Sequence, residues 1–164
     1  MKNTNNFDRW LTLLANVGVI AGIVFLAIEI RQNTEMVRSQ TRDSITDKQL
    51  TLFEWFAASP ENIRIRVDGD QLALDTDSVE ASQYGWMIAG NFRLWENEWY
   101  QYQQGLFEPE EFEPRINIWK AMISGSPGLR RVWQLQRTGY SPEFKALIDS
   151  LVEAAEQQQT GIGE

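Results

Sequence analysis

Leu11-Thr-Leu-Leu-Ala-Asn-Val-Gly-Val-Ile-Ala-Gly-Ile-Val-Phe-Leu-Ala-Ile28 runs eighteen residues without a charge, between Arg9-Trp10 on one side and Glu29-Ile30-Arg31 on the other. As an α-helix it would reach about 27 Å, against about 30 Å for the hydrocarbon core of a bilayer. Trp10 stands where an interfacial aromatic would, and Arg9 and Arg31 can extend their side chains to the headgroups. A buried helix of a small soluble domain rarely stays uncharged for so long. A cleaved signal peptide fits poorly, because the apolar region is long and Ala27-Ile28-Glu29 is a weak cleavage site. The expectation is an uncleaved transmembrane helix over residues 10–30, preceded by a short segment, 1–9.

Orientation follows from flanking cations. Lys2 and Arg9 precede the span, whereas Arg31, Arg38, Arg42 and Lys48 follow it within twenty residues. The positive excess predicts a C-terminal domain on the cytoplasmic side. Within the span, Ala15, Gly18 and Gly22 share one stripe, Gly18 and Gly22 form a GxxxG, and Glu29 continues the stripe. Small residues at this spacing let helix backbones approach closely and favour self-association in lipid. Thr12 and Asn16 form a polar ridge beside it, and Asn16 in hydrocarbon is better placed hydrogen-bonded to another helix. Ala15, Gly18, Gly22 and Asn16 are therefore the candidate helix-association residues, and the expected partners are the lipid bilayer and either a second copy or another protein.

The remainder is polar and acidic. Net charge is −8, and from Gln32 onward 12 basic residues face 21 acidic ones. Such a domain is repelled by phosphate backbones, which argues against nucleic acid as a partner. The 164 residues contain neither Cys nor His. Disulfides, thiolate nucleophiles, Cys/His zinc sites and imidazole bases are thereby excluded. No catalytic, cofactor-binding or metal-binding residue is assigned, and the chain reads as non-enzymatic.

No Gly or Pro interrupts Arg31 to Phe56, so the first helix is expected to continue as a stalk over 31–58. Ile30, Val37, Ile45 and Leu52 give it a thin apolar seam. Ser-Pro then recurs at Ser59-Pro60, Ser126-Pro127 and Ser141-Pro142, each a start signal in which Ser caps and Pro takes the first helical position. Five carboxylates between Asp68 and Glu80 do not fall in the register of a calcium loop, and Asp77 or Ser78 caps the next helix instead. That helix, about Val79 to Gln104, carries Tyr84, Ile88, Phe92, Trp95, Trp99 and Tyr102 on one face and ends at Gly105. Its polar insert, Arg93, Glu96 and Asn97, is a candidate network. Glu96 and Glu98 point about 200° apart, which rules them out as a paired acid and base.

Three more helices are expected: one from Pro109, one over Pro127 to about Arg137, and one over Pro142 to about Glu156. Arg130, Arg131 and Arg137 are read as neutralising acidic neighbours. The fold class is all-α: a transmembrane helix continuing into a stalk, then a compact aromatic-rich helical bundle over 59–156. Residues 157–164 form a tail too polar to stay ordered.

Three passages, WLTLLANVGVIAGIVFLAIEIRQN (10–33), FRLWENEWYQYQQGLF (92–107) and SPGLRRVWQLQRTGYSPEF (126–144), resemble a group of bacterial single-pass membrane-anchored proteins with a small helical domain and no known activity. The resemblance implies architecture and an inner-membrane location, carries no cofactor, and marks Arg93, Trp95, Glu96, Asn97, Arg131 and Trp133 for testing. The expected role is protein interaction or self-association. A small oligomeric pore or transport accessory around Thr12 and Asn16, and a ligand-binding or hydrolase-like domain using Arg93 and Glu96, are the alternatives.

Overall fold

The computed structural model describes residues 4–160. Those residues are all-helical, with no strand among them. The elements are α1 (Thr4–Ala57), α2 (Pro60–Asp70), α3 (Val79–Gln103), α4 (Pro109–Gly125), α5 (Pro127–Gln136) and α6 (Pro142–Thr160), with one 3₁₀ turn at Arg137–Gly139. Helix α6 extends past the end expected near Glu156, and residues 161–164 of the expected disordered tail lie outside the described residues. The chain divides into two compact units, Met1–Gln40 and Thr41–Glu164.

In the first unit, the described residues form the N-terminal part of α1. This is one helix long and apolar enough to cross a membrane, and none of its apolar window is buried within the chain. Its large apolar side chains, Leu11 to Ile28, are all at least half exposed. The four candidate association residues lie on this surface. A Cβ on Gly18 or Gly22 would meet nothing within 4 Å. Thr12 Oγ1 donates to its own helix, at Asp8 O (2.9 Å). Ala15 and Asn16 are likewise exposed.

The second unit is the bundle. It includes residues 41–57, which the sequence pattern assigns to the stalk. Ile45 is fully buried, Phe56 packs against the core, and Gln49 and Arg42 reach α3 and α4 through Glu98 and Glu111. The thin apolar seam suffices here because polar partners from α3 and α4 complete it.

The aromatic face of α3 is the spine of the bundle. Tyr84, Ile88, Phe92 and Trp95 are buried, and Trp99 and Tyr102 are half-buried against them. Trp95 stacks on Trp119 of α4 (centroids 5.2 Å apart, planes at 17°), and Phe92 packs on Trp133 of α5 (4.8 Å). Phe144 of α6 meets both Trp119 and Trp133 edge-on. Such pairs add to the burial term because ring edges and faces carry opposite partial charge.

The start signals at Ser59-Pro60, Ser126-Pro127 and Ser78 act as read, whereas at Ser141-Pro142 the backbone amide of Ser141 is taken by Glu96 Oε1. Ser59 Oγ accepts the Asn62 amide, Ser126 Oγ the Leu129 amide and Ser78 Oγ the Ala81 amide. Gly105 follows the end of α3 at φ +69°, the left-handed conformation that glycine adopts without penalty.

Helices α2 and α5 approach backbone to backbone. A Cβ on Gly128 would lie 1.9 Å from Gly69 O, and one on Gly69 would lie 2.2 Å from the Tyr84 ring. Beside this contact, Asp70 Oδ1 accepts from both Tyr84 Oη and Ser126 Oγ (2.7 Å each), and its Oδ2 pairs with Arg66 (2.8 Å). One carboxylate thereby joins α2, α3 and the start of α5. Burial pushes the Tyr84 hydroxyl well above its ordinary pKa, so it remains a donor at every physiological pH.

Candidate functional site

The polar insert of α3 divides. Arg93 and Glu96 come together, with Nη1 to Oε2 at 2.7 Å. Glu96 Oε1 accepts the Ser141 amide (2.8 Å), and Arg93 Nη2 donates to Gly139 O (2.8 Å). The Arg93 guanidinium also lies over the Tyr140 ring, 4.2 Å from its centroid. The pair is a latch that holds the turn before α6 against α3. Burial alone would raise the Glu96 carboxyl, but the Ser141 amide and Arg93 outweigh it and hold the group below its ordinary value. Asn97 is half-buried and takes no part in the latch. Tyr100, which the i+4 spacing offers to Glu96, is exposed and is not its partner.

Glu98, next to this insert, faces inward and is 1% exposed. Its Oε1 accepts from Gln49 Nε2 (2.6 Å) and Arg115 Nη1 (2.8 Å), while Oε2 is buried without a hydrogen bond. Burial pushes its carboxyl above the ordinary value, against the pull of Arg115 and Gln49.

On the outer side of the latch runs a groove between the end of α1 and α3. Two adjoining hollows of about 410 and 330 Å³ share Gly90 and Arg93. Trp55, Trp86 and Tyr140 line the first, and Lys48, Leu52 and Asn97 line the second. Gly90 sets the floor, where a Cβ would meet Leu52 at 3.5 Å. Trp86 is 72% exposed. Neither hollow has an acidic lining residue, so the groove is aromatic and cationic on a strongly acidic domain.

The sequence reading singled out Arg93 and Asn97 as part of a polar network with Glu96, and gave no site role to Trp86 or Lys48. Trp86 lies off the α3 core stripe, and an exposed Trp off the apolar face was the available signal. The three arginines read as a neutralising group also divide. Arg137 pairs with Asp149 (3.1 Å), Arg130 caps the end of α4 through Ile123 O (2.6 Å), and Arg131 has no carboxylate partner among the described residues. Trp133 Nε1 donates to the same Asp149 (2.8 Å), and Trp95 is core. In the acidic stretch, Asp68 pairs with Arg64 and Asp70 with Arg66, and no group of three acidic residues suited to a metal ion occurs among the described residues.

The chain matches no known protein-family model, no curated protein and no solved structure.

Proposed function

We propose that this chain is a non-enzymatic single-pass protein of the bacterial inner membrane whose acidic helical domain docks a partner protein in the α1–α3 groove. The groove carries the reading: two accessible tryptophans, Lys48 and Arg93 on a domain of net negative charge. Exposed aromatics beside Lys48, with Arg93 already bound to Glu96 at the groove's edge, fit a segment bearing apolar side chains and an acidic one, because aromatic anchors supply most of the energy at such contacts. Glu96 supports a non-catalytic reading, since both its oxygens are engaged in the latch and neither is left to move a proton.

Anchoring rests on the wholly exposed apolar stretch of α1, which is the opposite of what a core helix would present. The cations after the span favour a cytoplasmic domain. Alkaline extraction and native mass spectrometry of the full chain test the two halves of the proposal. The protein is expected to stay in the membrane pellet and to emerge with a protein partner or a second copy, which Trp86→Ala removes. A soluble protein, or a detergent-extracted monomer without a partner, contradicts it.

A further inference from the structure

A second cleft lies between α3, the loop after α2 and the outer face of α5, meeting the first groove only at Gln136. It offers about 160 Å³, comparable to the about 150 Å³ cavity that holds a benzene ring in a protein core, but it is open to solvent on its outer side, where Leu135 is 74% exposed. Leu72, Leu74, Val132 and Leu135 supply apolar walls, and Arg131 is the one charged residue lining it.

Two features of this cleft answer to no other contact among the described residues. Gly85 sits in the middle of α3, where glycine weakens a helix, yet a Cβ there would meet nothing within 4 Å. No neighbouring element requires its smallness, unlike Gly69 and Gly128. Leu72 adopts φ +59° where it ends α2, its amide donating to Gly69 O (3.1 Å) and the Ala73 amide to Asp68 O (2.8 Å), and this turn presents its half-exposed apolar side chain to the cleft. Arg131 alone among the bundle's arginines has neither a carboxylate nor a carbonyl partner among the described residues, on a domain with an excess of carboxylates. An open floor, an apolar wall and an exposed, unpaired guanidinium line one small space.

We infer that the Gly85–Arg131 cleft binds a small organic anion: an apolar group of benzene size carrying one carboxylate, the ring against Gly85, Val132 and the leucines and the carboxylate on Arg131. The guanidinium offers two parallel N–H donors to a carboxylate, and the acidic domain supplies no internal competitor at this point.

Isothermal titration of the full chain in detergent, with phenylacetate and its uncharged analogue phenylacetamide, tests the assignment. Wild type is expected to bind phenylacetate saturably and at least about tenfold more tightly than the amide, a difference of about 1.4 kcal/mol. Arg131→Gln should remove the tenfold preference. Gly85→Leu, which fills the space and replaces a poor helix former, should abolish binding of both with an unchanged or higher Tm. Saturable binding that both variants leave intact, no preference for the anion, or no binding of either molecule by wild type overturns the inference. These outcomes are independent of the α1–α3 groove, since no residue varied here lines it.

Discussion

Glu96 Oε1 accepts the backbone amide of Ser141 at 2.8 Å, so a carboxylate on α3 caps the start of α6, forty-five residues away in sequence. The same side chain binds Arg93 through its other oxygen. A helix N-terminus exposes unpaired amides and partial positive charge, which a carboxylate satisfies even when another helix supplies it. Glu96→Ala should cost about 1–2 kcal/mol in urea unfolding. Glu96→Gln, which still accepts from Ser141, should cost less than half of that.

Glu96 and Glu98 should give pH dependences of opposite sign. The folded state holds Glu96 below its ordinary value, so its contribution is present at neutral pH and lost as pH falls through the folded value. Burial holds Glu98 above its ordinary value, so its contribution is complete at low pH and lost as pH rises through the folded value. Unfolding free energies from pH 3 to pH 7 check both. Wild type should gain on Glu96→Gln as pH rises and lose ground to Glu98→Gln over the same range. Parallel curves for the two variants would contradict both assignments.

The contact between α2 and α5 leaves no room for a methyl group. A Cβ on Gly128 would lie 1.9 Å from a backbone oxygen, which cannot swing aside as a side chain can. Gly128→Ala should therefore destabilise the bundle by about 3 kcal/mol or more, near the upper end of overpacking costs, with broadened amide signals along α2. Gly85→Ala, in open space on α3, should instead stabilise it by about 0.5–1 kcal/mol. Circular dichroism melts of the two variants decide the point.

These contrasts show what a sequence can carry. Helix starts at Ser59-Pro60 and Ser126-Pro127, and the Gly105 stop, are local, because the capping atoms lie within three residues of the amides they satisfy. The α3 core stripe is equally legible, since a 3.6-residue period needs no knowledge of what packs on it. Inclusion of residues 41–57 in the bundle was not legible, because it depends on Gln49 finding Glu98 forty-nine residues later. The Asp70 junction depends in the same way on Ser126, fifty-six residues on. Lys48 and Trp86 form one groove only once α1 and α3 are side by side.

The small-residue stripe of α1 offers a separate expectation. Gly18 and Gly22 leave open helix surface, where a partner helix in lipid would gain close backbone contact. Energy transfer between labelled copies in liposomes should show self-association that Gly18→Ile with Gly22→Ile weakens by about fivefold or more, roughly 1 kcal/mol. Equal transfer for both forms would remove the stripe from the account.

Docking in the α1–α3 groove is the central claim, and Trp86 is its most accessible residue at 72% exposed. Its replacement by alanine should leave stability within about 0.5 kcal/mol, so a loss of binding there is not a loss of fold. The most direct measurement places a photoreactive phenylalanine at position 86 and, as a control, at exposed Glu143 on α6, then irradiates intact cells. The account predicts a discrete protein adduct from position 86 that Lys48→Glu suppresses, and none from position 143. No adduct from position 86, or the same adducts from both positions, would contradict it.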